Sequence, residues 1–350
     1  MANSTLPVLI AETNDVRPFA RLLRGIGLKH NAVMEIYEAG FAVTVEEVRT
    51  LCAIAWIPTS LFTSFTYNPP STPATFELSL DALLQCLNIF GNAGSSSVGS
   101  ISSSAGGGGG RTKRRWAGDG ESGGMGGDHE ADEVDQRRGG RGGEKRTGMR
   151  MEWKGLGYDL SILLSDDARG PTTTCNLKTL EPEELMNAQF DPDQTALYLI
   201  MKSEWFRDAL LDLPPSSTRI TLLATPPRES IPPQQPDATI SSNGRHRHRA
   251  EVGQFSIQAE GDFGMTELDY PNDKEVMDKF ECEKRVSFSY HSSHFALLHR
   301  ALHQSVKICL QIEHDGFLCV QIMMPLGEGV PVGGHSGILE FKMHALEEED

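Results

Sequence analysis

The sequence predicts an α+β chain of two tandem domains, poor in helices and rich in strands. Three observations lead there. Segments such as VKICLQIE (306–313) and FLCVQIMM (317–324) alternate apolar and polar residues, the period of half-buried strands. Only four segments show apolar residues at helical spacing. Once two polar inserts are set aside, the order helix, strands, helix, strands occurs twice.

The first helix is expected over 17–26. Wound at about 100° per residue, it puts Phe19, Leu22, Leu23 and Ile26 on one side and Arg17, Arg21 and Arg24 within roughly 60° of one another on the other. Strands follow at 33–47, folded back at YEAG, then at 52–62 and 75–80. A second helix is expected over 81–90, with Leu80, Leu83, Leu84 and Leu87 as its apolar stripe, and strands over 151–166 and 171–180. The second half repeats the plan: strand 196–203, helix 204–213, strands 219–225, 255–269 and 285–291, helix 293–303, then strands 306–325 (turning at EHDG) and 337–346. TFELSLDALLQCLNIFG and RVSFSYHSSHFALLHRAL are the best-matched copies.

The first insert, 92–148, holds more than half of the chain's 35 glycines, the cluster RTKRR (Arg111–Arg115) and an acidic patch. Its few large apolar residues cannot offset the entropy of ordering it, so disorder is expected. The second insert, 226–252, is proline-rich and contains RHRHR (245–249). Two histidines at i, i+2 without cysteine or carboxylate at ligand spacing make a poor metal site.

The 350 residues suffice for two cores, and no run approaches the ~18 apolar residues of a membrane helix. The N-terminus lacks the basic and apolar regions of a secretory signal. Six scattered cysteines without a CxxC pair read as free thiols. A net charge of −16 argues against a nucleic-acid binder coated in positive charge, but permits one that confines its cations to one surface. Acidic residues fall in turns and on polar strand faces, without the converging carboxylates of a two-metal nuclease. Walker A, GxSxG and HExxH patterns are absent, and DFG (262–264), without a kinase's other motifs, reads as a turn between strands.

GFAVTVEEVRTLCAIAWIPTSLF, FELSLDALLQCLNIFG, LKTLEPEELMNAQFD, GDFGMTELDYPND and SVKICLQIEHDGFLCVQIMMP together resemble the PCNA-type sliding clamps. More closely, they resemble the radiation-sensitivity subunits of heterotrimeric nine-one-one checkpoint clamps. The resemblance implies two tandem clamp domains, 1–180 and 193–350, whose helices line a ring around DNA and whose antiparallel sheets form the outside. It implies a connector over 181–192 beside a groove for partner peptides, bordered by Leu180, Glu183, Leu185, Met186 and Phe190. A clamp slides without reading sequence, so its lining should offer phosphate contacts only. Arg17, Arg21, Arg24 and Lys29 on the first helix and just beyond it, Arg207 on the third, and Arg300 and His303 on the fourth are the expected DNA-facing residues. Asp208 and Asp212 dilute the charge on the third helix, and the second, with Ala82 and Gln85 outward, has none.

The resemblance further implies two paralogous clamp subunits, a clamp loader, double-stranded DNA, and repair and checkpoint proteins as partners. It implies a non-catalytic role at damaged DNA in the nucleus, without cofactor, metal or membrane. RTKRR is a candidate import signal. The alternatives are a 3′-5′ exodeoxyribonuclease, a homotrimeric replication-type processivity clamp, and a scaffold with no DNA role.

Overall fold

In the computed structural model, residues 6–69, 74–91, 93, 146–166, 170–186, 189–227, 253–262, 264–326 and 336–347 are described. RTKRR, RHRHR and nearly all of both inserts lie outside them. Alternation along each strand decides which side chains turn to the core, and one continuous apolar cluster fills the packed unit. The first half runs β1 (Leu9–Thr13), α1 (Arg17–Gly25), β2 (Asn31–Tyr37), β3 (Gly40–Glu47), β4 (Leu51–Pro58), β5 (Ser64–Tyr67), β6 (Ala74–Ser79), α2 (Leu80–Leu87), β7 (Gly148–Trp153), β8 (Leu160–Ser165) and β9 (Thr172–Leu177). The second repeats it: β10 (Thr195–Lys202), α3 (Ser203–Asp212), β11 (Arg219–Thr225), β12 (Gln254–Gly261), β13 (Gly264–Pro271), β14 (Met277–Cys282), β15 (Val286–His291), α4 (Ser292–Leu302), β16 (Lys307–Glu313), β17 (Leu318–Pro325) and β18 (Ser336–Met343).

Pairing repeats as well as order. The five-stranded sheet β5-β1-β7-β8-β9 is matched within the second half by β14-β10-β16-β17-β18, and β4-β3-β2-β6 is matched by β13-β12-β11-β15. All these pairs are antiparallel. One junction has no counterpart within the chain: β18 pairs with β4, from Ile338 opposite Trp56 to Met343 opposite Leu51, fusing two four- and five-stranded groups into a nine-stranded sheet. The equivalents of β18 and β4 are β9 and β13, which stand at the edges of their sheets.

The helices form a row, α2–α1–α4–α3, each packed on the next. Phe19, Leu22, Leu23 and Ile26 are fully buried, as the helical spacing required. Two glycines let α1 lie close on β18: a Cβ on Gly25 would sit 2.3 Å from Leu339, and one on Gly337 would sit 2.6 Å from Leu22. Ser79 caps α2, its hydroxyl accepting from the Ala82 amide at 3.3 Å.

Three strands were missing from the sequence reading: β1, β5 and β14. β5 is four residues with no buried side chain, and β14 carries a bulge opposite Ile200/Met201 that breaks its alternation. Leu84 is only half-buried, so the α2 stripe is Leu80, Leu83 and Leu87. His303 caps α4 instead of lying within it. At the margins of the first insert, Ala93 and Thr147 are buried, and the Thr147 carbonyl accepts from the Val16 amide at 3.0 Å.

The halves also meet at a histidine. The β3–β4 turn holds Val48 and Arg49 at φ 48° and 56°, a left-handed conformation that costs roughly 1–2 kcal/mol per residue. It delivers the Thr50 hydroxyl 3.2 Å from His294 Nε2, in the first turn of α4. His294 is buried and its Nδ1 has no hydrogen-bond partner among the described residues. Burial, then the nearby His291, holds its pKa below the ordinary value, against the pull of Glu47. The unfolded chain therefore binds a proton that the folded chain resists. Stability is expected to be lost as pH falls through about 6.5 and on towards the depressed folded value. Unfolding midpoints between pH 8 and 5.5 check this: His294→Asn should flatten the slope without abolishing it, because burial also depresses His299.

Candidate nucleic-acid interface

α1 presents its basic face because the apolar residues occupy the opposite side, but its arginines do different things. Arg17 forks onto Asp15, with Nε and Nη2 donating to both carboxylate oxygens at 2.8–3.1 Å. Burial opposes ionisation of Asp15, but the Arg17 hydrogen bonds and charge outweigh it and hold the carboxyl below its ordinary value. Arg17 thus fastens the start of α1. Lys29 is exposed and reaches Glu47 only at 3.7 Å.

Arg21 and Arg24 point to the junction of the halves. Arg21 Nη1 donates to the Pro325 carbonyl at 3.1 Å. Burial lowers the Arg24 pKa, followed by the charges of Arg300 and Arg21. Arg300 comes from the other half, its guanidinium passing beside Gly27 at the end of α1. Three guanidinium groups from two helices thus gather in the middle of the helical row. Among the described residues neither Arg24 nor Arg300 meets a carboxylate. Like charges held together without a counter-ion are costly unless an anion completes them, and the planar fork suits phosphate oxygens. Arg24, in the last turn of α1, also favours its dipole, a smaller and purely local benefit.

Arg207 and His303 form a second, weaker group. Arg207 is paired with its neighbour Asp208 at 2.8 Å. His303 is exposed, its ring 4.4 Å from that of His299, whose pKa is lowered by burial, then by His303 and Arg207. α3 exposes Glu204, Asp208 and Asp212, so its exposed face is acidic, and α2 exposes Gln85, followed by Asn88 at its C-cap. Of seven expected DNA-facing residues, the structure gathers Arg21, Arg24 and Arg300 into one cluster, commits Arg17 to a structural pair, and leaves Lys29, Arg207 and His303 peripheral. The signal for Arg17 was available: an aspartate two residues before it, at the start of a helix.

Carboxylates strap down the segment expected to be the connector. Leu180 exchanges backbone hydrogen bonds with Glu77, at 3.0 and 2.8 Å. Glu77 also accepts from the Glu183 amide at 3.3 Å, Glu46 from the Met186 amide at 2.6 Å, and Glu313 from the Asp191 amide at 2.7 Å. Leu180 is exposed, Leu185 and Met186 are half-buried, and Phe190 stacks on Phe317 with centroids 6.4 Å apart. An apolar cavity of about 390 Å³ lies elsewhere, between the β2–β3 turn and the β4–β18 junction. Tyr37, Phe41, Trp56, Pro58 and Ile338 line it, and none of the five connector residues does. Trp56 and Ile338 are each 39 % exposed. The sequence reading missed this site; its signal was Trp56, on the outward phase of an uninterrupted apolar strand.

The family model for the repair proteins Rad1/Rec1/Rad17 matches residues 8–324. The chain belongs to this family. Among its relatives are the human "Cell cycle checkpoint protein RAD1", 24 % identical over 321 residues that cover 92 % of this chain and 87 % of the human one. The "DNA damage checkpoint control protein rad1" of Schizosaccharomyces pombe is 26 % identical over 322 residues, covering 91 % of this chain and 82 % of that protein. The "DNA repair exonuclease REC1" of Mycosarcoma maydis is 26 % identical over 275 residues, 72 % of this chain and 58 % of its own. In fold, the structure is similar to the proliferating cellular nuclear antigen of Entamoeba histolytica, with a TM-score of 0.59 at 12 % identity, covering 98 % of this chain and all of that one. The clamp fold is the α+β architecture expected from the strand-rich repeat.

Proposed function

We propose that this chain is one subunit of a heterotrimeric, DNA-encircling checkpoint clamp, built of clamp domains 1–180 and 193–350 joined by 181–192. It is loaded at damaged DNA by a clamp loader, completed by two paralogous subunits, and acts in the nucleus as a platform for checkpoint and repair proteins. The observation that carries the reading is the unfinished repeat. The β18–β4 junction joins two halves within the chain, and the same two strand positions, β9 and β13, are left as edges for neighbours. Repeating that junction around three two-part subunits closes a ring with the helical row inside.

The names of the human and fission-yeast relatives supply the checkpoint role. The cluster of Arg21, Arg24 and Arg300 supplies sequence-independent phosphate contact, while the chain's net charge of −16 disfavours DNA binding elsewhere. Trp56 and Ile338 offer an outward seat for a partner peptide. The exonuclease reading rests on the name of one relative. No group of three or more His, Cys, Asp or Glu able to hold a metal occurs among the described residues, and the clamp reading requires none.

Topology tests this reading. The assembled complex, loaded onto a gapped circular duplex, should stay bound through a high-salt wash and leave when the circle is cut. Equal release from circle and linear DNA would overturn it.

A further inference from the structure

The two edges that repeat the β18 and β4 positions, β9 and β13, differ in charge, and the difference specifies a neighbour. β13 carries Met265, Glu267 and Asp269 on its exposed phase, and Met265 is 65 % exposed. Asp269 accepts from Gln254 Nε2 at 2.6 Å and from the Ser256 hydroxyl at 2.7 Å. α3 adjoins this strand, because the Tyr270 hydroxyl donates to the Trp205 carbonyl at 3.2 Å. The adjoining helix face exposes Glu204, Asp208 and Asp212, with Trp205 and Leu211 bare at 42 % and 55 %. Within α3 itself Arg207 is the single cation, and it is paired with Asp208. On the opposite edge the strand itself is uncharged: β9 exposes Thr172, Thr174 and Asn176, with Lys178 following just beyond its end. α2, packed against it, exposes Gln85, then Asn88 at its C-cap, and its one acid, Asp81, is paired with His30.

The internal repeat fixes what would face what. Thr44 and Gln258 are each the fifth residue of β3 and β12, and their partners on the next strand are Ile54 and Glu267. Leu163 and Gln321 are each the fourth residue of β8 and β17, and their partners are Thr174 and Glu340. Glu340 faces Ile54 across the β18–β4 junction. In the equivalent junction between subunits, the residue at the Thr174 position faces Glu267, and by the two-residue step the residue at the Thr172 position faces Asp269.

We propose, resting on the ring reading, that the β13/α3 edge selects a clamp paralogue whose β9-equivalent strand carries lysine or arginine opposite Glu267 and Asp269, and that the neutral β9 of this chain makes self-closure the weaker alternative. A second copy places threonines against the two carboxylates, and it leaves α3's acids facing Gln85 and Asn88. Opposite charges directly across an antiparallel pair stabilise it, and the gain is selective because the wrong partner sets neutral side chains opposite the acids.

Two experiments test this with full-length chain. Thr172→Lys/Thr174→Lys gives this chain the missing cations. Light scattering should show its self-association tightened about tenfold at low salt, from two cross-strand pairs, with the gain gone in 0.5 M NaCl. In the second, Glu267→Lys/Asp269→Lys is co-expressed with the two paralogues. It should lose one of them and retain the other, giving a two-subunit complex, while the variant chain by itself should melt like the wild-type chain by itself. Should Asp269→Lys disturb its local hydrogen bonds, Glu267→Lys alone should still weaken that one contact. Unchanged self-association in the first variant, or a full three-subunit complex from the second at wild-type affinity, overturns the inference. If wild-type chain joins neither paralogue, the ring reading itself falls, and the inference with it.

Discussion

Changing Arg21, Arg24 and Arg300 together to alanine is expected to weaken duplex binding by the assembled ring about tenfold to a hundredfold near 0.1 M salt. The salt dependence carries the diagnosis. Each guanidinium that neutralises a phosphate contributes about 0.9 to the slope of log affinity against log salt, so the slope should fall by about 3. The loss should be the same for any sequence, because phosphate contacts position without specifying. The three residues should act as a unit. Arg24 lies near both of the others, and none of the three is needed to neutralise a carboxylate among the described residues. Arg17→Ala is the internal control. Its guanidinium is held by Asp15 at the start of α1, so this change should leave the salt slope near wild type and cost about 1 kcal/mol of stability. Titration of labelled duplex at four salt concentrations separates the two outcomes. A slope unchanged in the triple variant, with the ring intact, would remove the cluster from the DNA surface.

The largest expected effect on stability comes from Phe41→Ala, about 3–5 kcal/mol. Phe41 is 1 % exposed and stands between layers. Its ring meets Phe62 and Phe65 edge-on at 5.4 and 5.3 Å, and Phe19 of α1 at 6.4 Å. Truncation removes an aromatic partner from three neighbours at once and leaves a cavity that α1 and β3 cannot both close. It also undermines the cavity wall that Phe41 shares with Trp56 on the outer side. Urea unfolding followed by circular dichroism should show the loss, and Phe41→Leu should recover most of it, to within about 1.5 kcal/mol. A variant as stable as wild type would mean that the aromatic group does not couple the first helix to its sheet.

Much of this architecture was legible in the sequence because the strands that face solvent on one side alternate cleanly, and because the four helices have coherent apolar stripes. What failed to show had physical causes. β5 is too short and too exposed to alternate, and the bulge beside β14 puts its pattern out of phase. The basic stripe on α1 was visible as a pattern, but spacing along one helix could not say which arginines were already taken. Asp15 claims Arg17, and Arg300 joins Arg21 and Arg24 only because the second half folds α4 against α1. The charge contrast between the edges was hidden for a related reason. Thr174 and Glu267 are 93 positions apart in the sequence, and only the repeat of β18–β4 makes them equivalent to a contacting pair.

If this chain is one third of a ring, the mass of its complex will show it. Full-length chain co-expressed with its two clamp paralogues should elute as a single species whose light-scattering mass equals one copy of each, while the chain alone gives 38.4 kDa. A chain that stays at its own mass beside both paralogues, or that closes into a homotrimer alone, would mean that it is not a subunit of a three-part ring.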